Sequence, residues 1–183
     1  MNEPVFIPGI FREVVEECSK QLSMDLHFEH GHPSEIVESL QKMTLTPYMA
    51  RKKYPLVALF QDFTVKRGTR ADLYGEVSVT VIIATLTDPF LNAPERYENN
   101  FFPVLYPIYA QFIMELSSHK SICIMNTATE PEHDQIDRLY WGKEGLFGNT
   151  ANTFNDYIDA IEIKNLQLKI FNPTCQRNGN TLK

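Results

Sequence analysis

The sequence predicts an α+β fold: a mainly antiparallel β-sheet of about four to six strands, packed on one face by two long helices. Three observations predict it. Residues 56–60, Leu-Val-Ala-Leu-Phe, are apolar without a break, as suits a strand covered on both faces. Residues 76–86 form a longer run, with Val77, Val79, Val81 and Ile83 on one face and Ser78, Thr80, Ile82, Ala84 and Leu86 on the other. Two amphipathic helical patterns, one opening the chain and one centred beyond residue 100, supply the apolar surface that covers such a sheet.

The two strand runs read as an antiparallel pair in the middle of the sheet. Pro55 can start the first strand but cannot sit inside it, because it has no N–H to give a ladder. Between the runs, residues 64–75 form a polar hairpin arm in which Gly68 is free to turn.

Residues 4–22 read as the first helix. Ile7, Ile10, Phe11, Val14, Val15, Cys18 and Leu22 recur at helical spacing, while Arg12, Glu13, Glu16, Glu17 and Lys20 take the other side. Residues 24–30 alternate apolar and polar, the pattern of a strand with one wet face, and Gly31 and Pro33 end it. A short helix over 34–43 turns Ile36, Val37 and Leu40 inward. Residues 44–53 are a connector ending in Arg51-Lys52-Lys53, which reads as a solvated charged face.

After a loop over 87–94 with two prolines, residues 97–118 form the second long helix. Pro103 and Pro107 both fall within it, so a kink or a fresh start is expected near Pro107. Residues 121–126 are a short strand candidate. From 127 to 157 regularity is lost, and loops of that length usually carry function. Residues 158–171 close the fold as a long strand whose pattern slips: Ile161 and Ile163 are in one phase, Leu166, Leu168 and Ile170 in the other. Because side chains alternate with period two, a bulge or sharp twist is expected at Lys164-Asn165. Residues 1–171 are read as one domain, and 172–183 as a tail with little apolar content that frays.

Composition narrows function. The 183 residues are 43% hydrophobic and 22% charged, ordinary for a globular chain, with a net charge of −6 that speaks against gripping nucleic acid by its phosphates. No run approaches the apolar length of a membrane helix, and Met1-Asn2-Glu3-Pro4 lacks the regions of a signal peptide. Cys18, Cys123 and Cys175 sit in no metal or redox spacing, which fits assembly in a reducing cytoplasm.

Signatures of catalysis are missing: no glycine-rich phosphate loop, no Gly-x-Ser-x-Gly, no His-Glu-x-x-His and no Cys-x-x-Cys. His30 and His32, with Glu29 and Glu35 nearby, read either as turn residues or as a metal pair without a clear third ligand. His133 and Asp134, with Asp137 and Arg138, hold acid–base groups but no nucleophile, and read as a polar loop. Leu139, Tyr140, Trp141, Leu146 and Phe147 either pin that loop to its own core or form a contact surface for another chain.

The order of elements resembles the tail-terminator and neck (head–tail connector) proteins of tailed bacteriophages. An amphipathic helix comes first; a strand is entered through Tyr54-Pro55; a long alternating strand follows. Next comes a helix entered through Phe102-Pro103-Val104-Leu105-Tyr106-Pro107, then a loop bearing Asp, Arg and Trp over 134–142, then a final strand. The wording around residues 54–63 and at Ile-Glu-Ile-Lys-Asn-Leu (161–166) is similar to virion proteins of phages of gut Bacteroidetes, including crAss-like ones. The segments 30–53 and 130–155 are larger than in compact terminators.

The resemblance implies a non-enzymatic virion protein, without cofactor or metal. It would form a ring, hexameric or dodecameric, that connects portal or neck to tail and lets DNA pass without specific binding. Lys66, Arg67, Arg70 and Tyr74 of the arm, with Tyr140, Trp141 and Phe147, are then the expected contacts to neighbouring subunits. The alternatives are a small metal-dependent hydrolase using His30, His32 and Asp134, and an adaptor that binds a peptide along a sheet edge.

Overall fold

Leu56–Phe60 (β2) and Leu73–Leu86 (β4) pair antiparallel in the computed structural model, with Leu56 opposite Ala84 and Leu59 opposite Val81. The structure describes residues 5–67, 73–123, 130–139 and 156–171. β4 pairs along most of its length with Ile158–Phe171 (β7), and these two long strands form the middle of a sheet that has seven strands among the described residues. β2 lies beside β4, and His27–Gly31 (β1) adds to β2 in parallel. Val65–Lys66 (β3) continues along β4; Ile122–Cys123 (β5) and Asp134–Arg138 (β6) flank the far side of β7. The sheet exceeds the expected four to six strands through the two-residue pieces β3 and β5.

Period-two alternation gives the sheet two faces with separate cores. On the first, Val57, Leu59, Val77, Val79, Val81, Ile83, Ile161 and Ile163 meet Phe11, Val14 and Cys18 of Ile7–Leu22 (α1) and Ile108, Phe112 and Leu116 of Tyr106–Ser118 (α5). On the second, Leu56, Ala58, Ile82, Ala84, Ile158 and Ala160 meet Ile36, Val37 and Leu40 of Pro33–Thr44 (α2). Among the described residues, this second core covers one end of its face. Ser78 is exposed, and Glu76, Thr80, Gln167 and Lys169 at the other end are half-buried.

The phase slip in β7 resolves as a bulge. Ile163 faces Val81 and Leu166 faces Val79, so Lys164 and Asn165 together oppose the single residue Thr80. Asn165 takes φ 52°, a left-handed conformation that asparagine tolerates better than most residues. The extra residue brings Ile161, Ile163, Leu166, Leu168 and Ile170 into one core, as both halves of the pattern require.

The proline-rich helix entry also changes geometry where expected. Ala93–Arg96 (α4) leads into a π-helical stretch, Tyr97–Leu105, which contains Pro103; α5 then starts afresh with Pro107 in its first turn. The Tyr106 N–H bonds the Phe101 carbonyl, five residues back. A wider turn accommodates the donors that Pro103 and Pro107 lack.

Two expectations are corrected. Lys53 is not part of a solvated face: it is buried, its ammonium donating to Thr44 Oγ1 (2.8 Å) and pairing with Asp156. Its partner lies 103 residues along the chain, so no local pattern marks it. Segment 127–157 is not irregular throughout, since β6 pairs over five residues with β7. Asp-Gln-Ile-Asp-Arg lacks an apolar alternation because this strand is held by backbone pairing and polar side chains instead. The connector before residue 53 also holds a short helix, Pro47–Ala50 (α3).

Candidate contact surface

The hairpin arm is built on close backbone packing. A Cβ at Gly75 would stand 2.7 Å from Val65 Cγ1 and 2.9 Å from the Lys66 carbonyl oxygen, so only glycine lets β3 lie against β4 here. Lys66 pairs opposite Glu76 and projects from the wet face of the sheet. It lines a cleft of about 350 Å3 with Asp62, Thr64, Glu76, Ser78 and Gln167. Around this cleft Lys169 bonds Glu76 at 3.3 Å, and Arg138 and Lys164 flank the buried Glu162 at 2.7 and 3.3 Å. Lys66 thus adds positive charge to a surface on which Glu76 and Glu162 already have cationic neighbours and Asp62 lines the same cleft.

Arg67 and Tyr74 hold one another. The guanidinium lies 4.2 Å from the Tyr74 ring centroid and donates to its hydroxyl at 2.7 Å. Tyr74 itself is buried in the first core, at a register shift where β4 carries one more residue than β7. Its ring therefore anchors the base of the arm, and Arg67 is the part of the pair that faces outward. Arg70, Tyr140, Trp141 and Phe147 lie outside the described residues.

The acid–base groups of 130–138 are brought together by β6, against the outer side of the helix. Asp137 accepts from Tyr97 (3.1 Å), Tyr106 (2.6 Å) and Gln135 (3.0 Å). Burial first, and then the Asp137 carboxylate, raises the Tyr106 hydroxyl well above the usual tyrosine range. His133 Nδ1 lies 2.7 Å from the Pro131 carbonyl, an acceptor only, so Nδ1 carries the hydrogen. Nε2 is then the acceptor for the Tyr109 hydroxyl at 2.6 Å. Arg138 makes a two-pronged contact with Glu162 at 2.9 and 2.7 Å, and Asp134 accepts from Asn165. His133, Asp134, Asp137 and Arg138 are in this way spent on fastening β6 to β7 and to the helix. The arrangement is a fixed hydrogen-bond lattice, with the Tyr109 hydroxyl against the His133 imidazole.

The metal alternative loses its geometry. His30 and Asp134 stand on β1 and β6, with β2, β4 and β7 between them. The His32 ring caps α2, its Nδ1 accepting from the Ser34 N–H at 3.3 Å, while Glu35 accepts from the His32 N–H at 3.0 Å. Glu29 receives Ser39 Oγ at 2.8 Å and sits 3.0 Å from His27. The His30 ring packs edge-on to Phe6 and beside Phe28. Among the described residues, no three His, Cys, Asp or Glu side chains converge to hold a metal ion.

Compared with known proteins, the chain matches no family model, no curated protein and no solved structure. No helix among the described residues is long and apolar enough to cross a membrane.

Sequence reasoning missed a second exposed feature. Phe90, in the loop after β4, is 92% exposed, and Leu86 beside it on the strand end is exposed too. The signal was present: Asp88-Pro89-Phe90-Leu91 places two large apolar residues in a proline-bounded loop, where solvated loops carry polar ones.

Proposed function

We propose that the chain is a structural subunit of a tailed bacteriophage virion, forming a ring at the neck or tail end that joins portal or neck to tail and lets DNA pass. The observation that carries this reading is the order of elements: α1, a strand entered through Tyr54-Pro55, the long β4, a helix entered through Phe102-Pro103 and Tyr106-Pro107, and β7. Two long helices contributing to one core on one sheet face suit the tail-terminator-like packing. The acidic balance of −6 suits a lumen from which a passing duplex is repelled. The arm, with Lys66 and Arg67 outward, is the proposed contact to a neighbouring subunit, and the protein acts without catalysis in the virion after assembly in the host cytoplasm.

A sheet-edge adaptor is the second reading. It is favoured by β1, which among the described residues pairs with β2 alone and so presents a free edge.

Peptide mass spectrometry of purified tailed particles, released from the host that carries the gene, tests the proposal. Peptides of this chain in particles that also hold portal and tail proteins are expected. Particles free of the chain, while it accumulates in the host cytoplasm, would overturn it.

A further inference from the structure

Aromatic rings line up along the π-helical stretch Tyr97–Leu105 and the start of α5. The Tyr97 and Phe102 ring centroids are 6.0 Å apart, and those of Phe102 and Tyr106 5.8 Å. In an α-helix a five-residue step turns a side chain well away from its predecessor, whereas the wider π turn returns it to nearly the same side. Phe101 stacks on Tyr97 at 4.6 Å and is fully buried, so the row is backed by the core. Its middle member faces water, since Phe102 is 60% exposed.

A carboxylate joins the two ends of the row. Asp137 Oδ2 accepts both flanking hydroxyls, from Tyr97 at 3.1 Å and Tyr106 at 2.6 Å, and Oδ1 accepts the Gln135 amide at 3.0 Å. All three donors are neutral. They fasten β6 but leave the charge unmatched, and they leave one lone pair of Oδ1 open. The adjacent guanidinium does not supply a cation, because side chains alternate along a strand and Arg138 grips Glu162 instead. Among the described residues Asp137 has no cationic partner, although it is half-buried.

The carboxylate and the ring faces favour one kind of ligand. A ring face attracts a cation through its quadrupole, and a half-buried carboxylate without a counter-ion gains most from one. A guanidinium suits both, because it stacks flat on a ring and donates in its own plane to a carboxylate oxygen. The site is an open surface around Phe102, which suits a side chain standing out from another protein. A chain with a net charge of −6 also draws a basic partner toward it.

We propose that Tyr97, Phe102, Tyr106 and Asp137 form a binding site for an arginine side chain of a basic partner protein, whose guanidinium lies against the aromatic row and pairs with Asp137. The contact requires no ring of copies, so the composition of virus particles does not decide it.

Anisotropy of a fluorescein-labelled oligoarginine peptide, titrated with the full-length protein at physiological ionic strength, tests it. Saturable binding is expected, tighter than that of an oligolysine peptide of the same length. Phe102→Ala removes an exposed ring and no charge, and is expected to weaken binding about two- to fivefold with an unchanged melting curve. Asp137→Asn keeps an acceptor for the tyrosine hydroxyls and is expected to weaken binding more. Glu98→Gln, which removes an exposed charge from the same helical stretch, is expected to leave binding as it was. Absence of saturable binding, unchanged binding in Phe102→Ala or in Asp137→Asn, or an equal loss in Glu98→Gln, the mark of diffuse charge attraction, would overturn the site.

Discussion

Asp159 shows how single residues hold this protein together. It is fully buried between the Arg96 guanidinium and the Asn100 amide, and through them it positions the loop that follows β4. A buried ion pair adds little net stability compared with an apolar pair, but removing one partner is costly because the other charge stays out of water. Asp159→Asn is therefore expected to cost about 3–5 kcal/mol in urea unfolding, through the midpoint and not the slope. A loss below about 1 kcal/mol would contradict the role assigned to the pair.

Tyr54 carries a pH signature. Its hydroxyl donates to Asp156 at 3.0 Å, and burial, then the Asp156 charge, raises its pKa above the ordinary tyrosine value near 10. The folded pKa is raised, so the contribution is complete below the unfolded value and is lost as pH rises beyond it, because the unfolded chain releases its proton first. Melting temperature followed from pH 9 upward is expected to fall less steeply above about pH 10 in Tyr54→Phe than in the wild type. Parallel curves would rule Tyr54 out as a source of alkaline sensitivity.

At the scale of elements, the bulge in β7 aligns two halves of a strand with one core. Asn165 sits at φ 52° and donates to Asp134 at 2.6 Å, so it serves the bulge twice. Asn165→Val is expected to cost about 1–3 kcal/mol, since a β-branched residue is strained there, whereas Asn165→Gly keeps the backbone and loses only the side-chain bond. Equal losses in the two variants would show that the left-handed conformation carries no cost.

β6 depends on the same region. Glu162→Gln removes the charge that Arg138 grips, and hydrogen exchange of residues 134–138 is expected to quicken while β4 stays protected.

The elements differed in how legible they were. Apolar periodicity marked α1, the β2–β4 pair and even the slip in β7, because those features are written in which residues face the core. It did not mark β6, Lys53 or the Arg96–Asp159 pair. Those are held by polar side chains whose partners are distant in sequence, and one-dimensional patterns carry no trace of such pairings. The arm was half legible: its polarity was plain, but the burial of Tyr74 under Arg67 follows from the register shift beside it.

At the scale of the whole molecule, the sheet carries a helix-covered face and a second face that α2 covers at one end. Its other end presents Lys66, and Arg67 is exposed next to it at the base of the arm. If the arm contacts a neighbouring subunit as proposed, alanine at Lys66, Arg67 and Arg70 together is expected to weaken assembly of the chain into a ring. Normal assembly by that variant would return the arm to a purely internal role.

Copies of the chain in purified tailed particles, counted against the portal protein as an internal standard, are the direct test of the proposed ring around a DNA channel. A single ring's worth, six or twelve copies per particle, is expected. A count of one or two, or of hundreds as for a capsid or tail-tube protein, would contradict it.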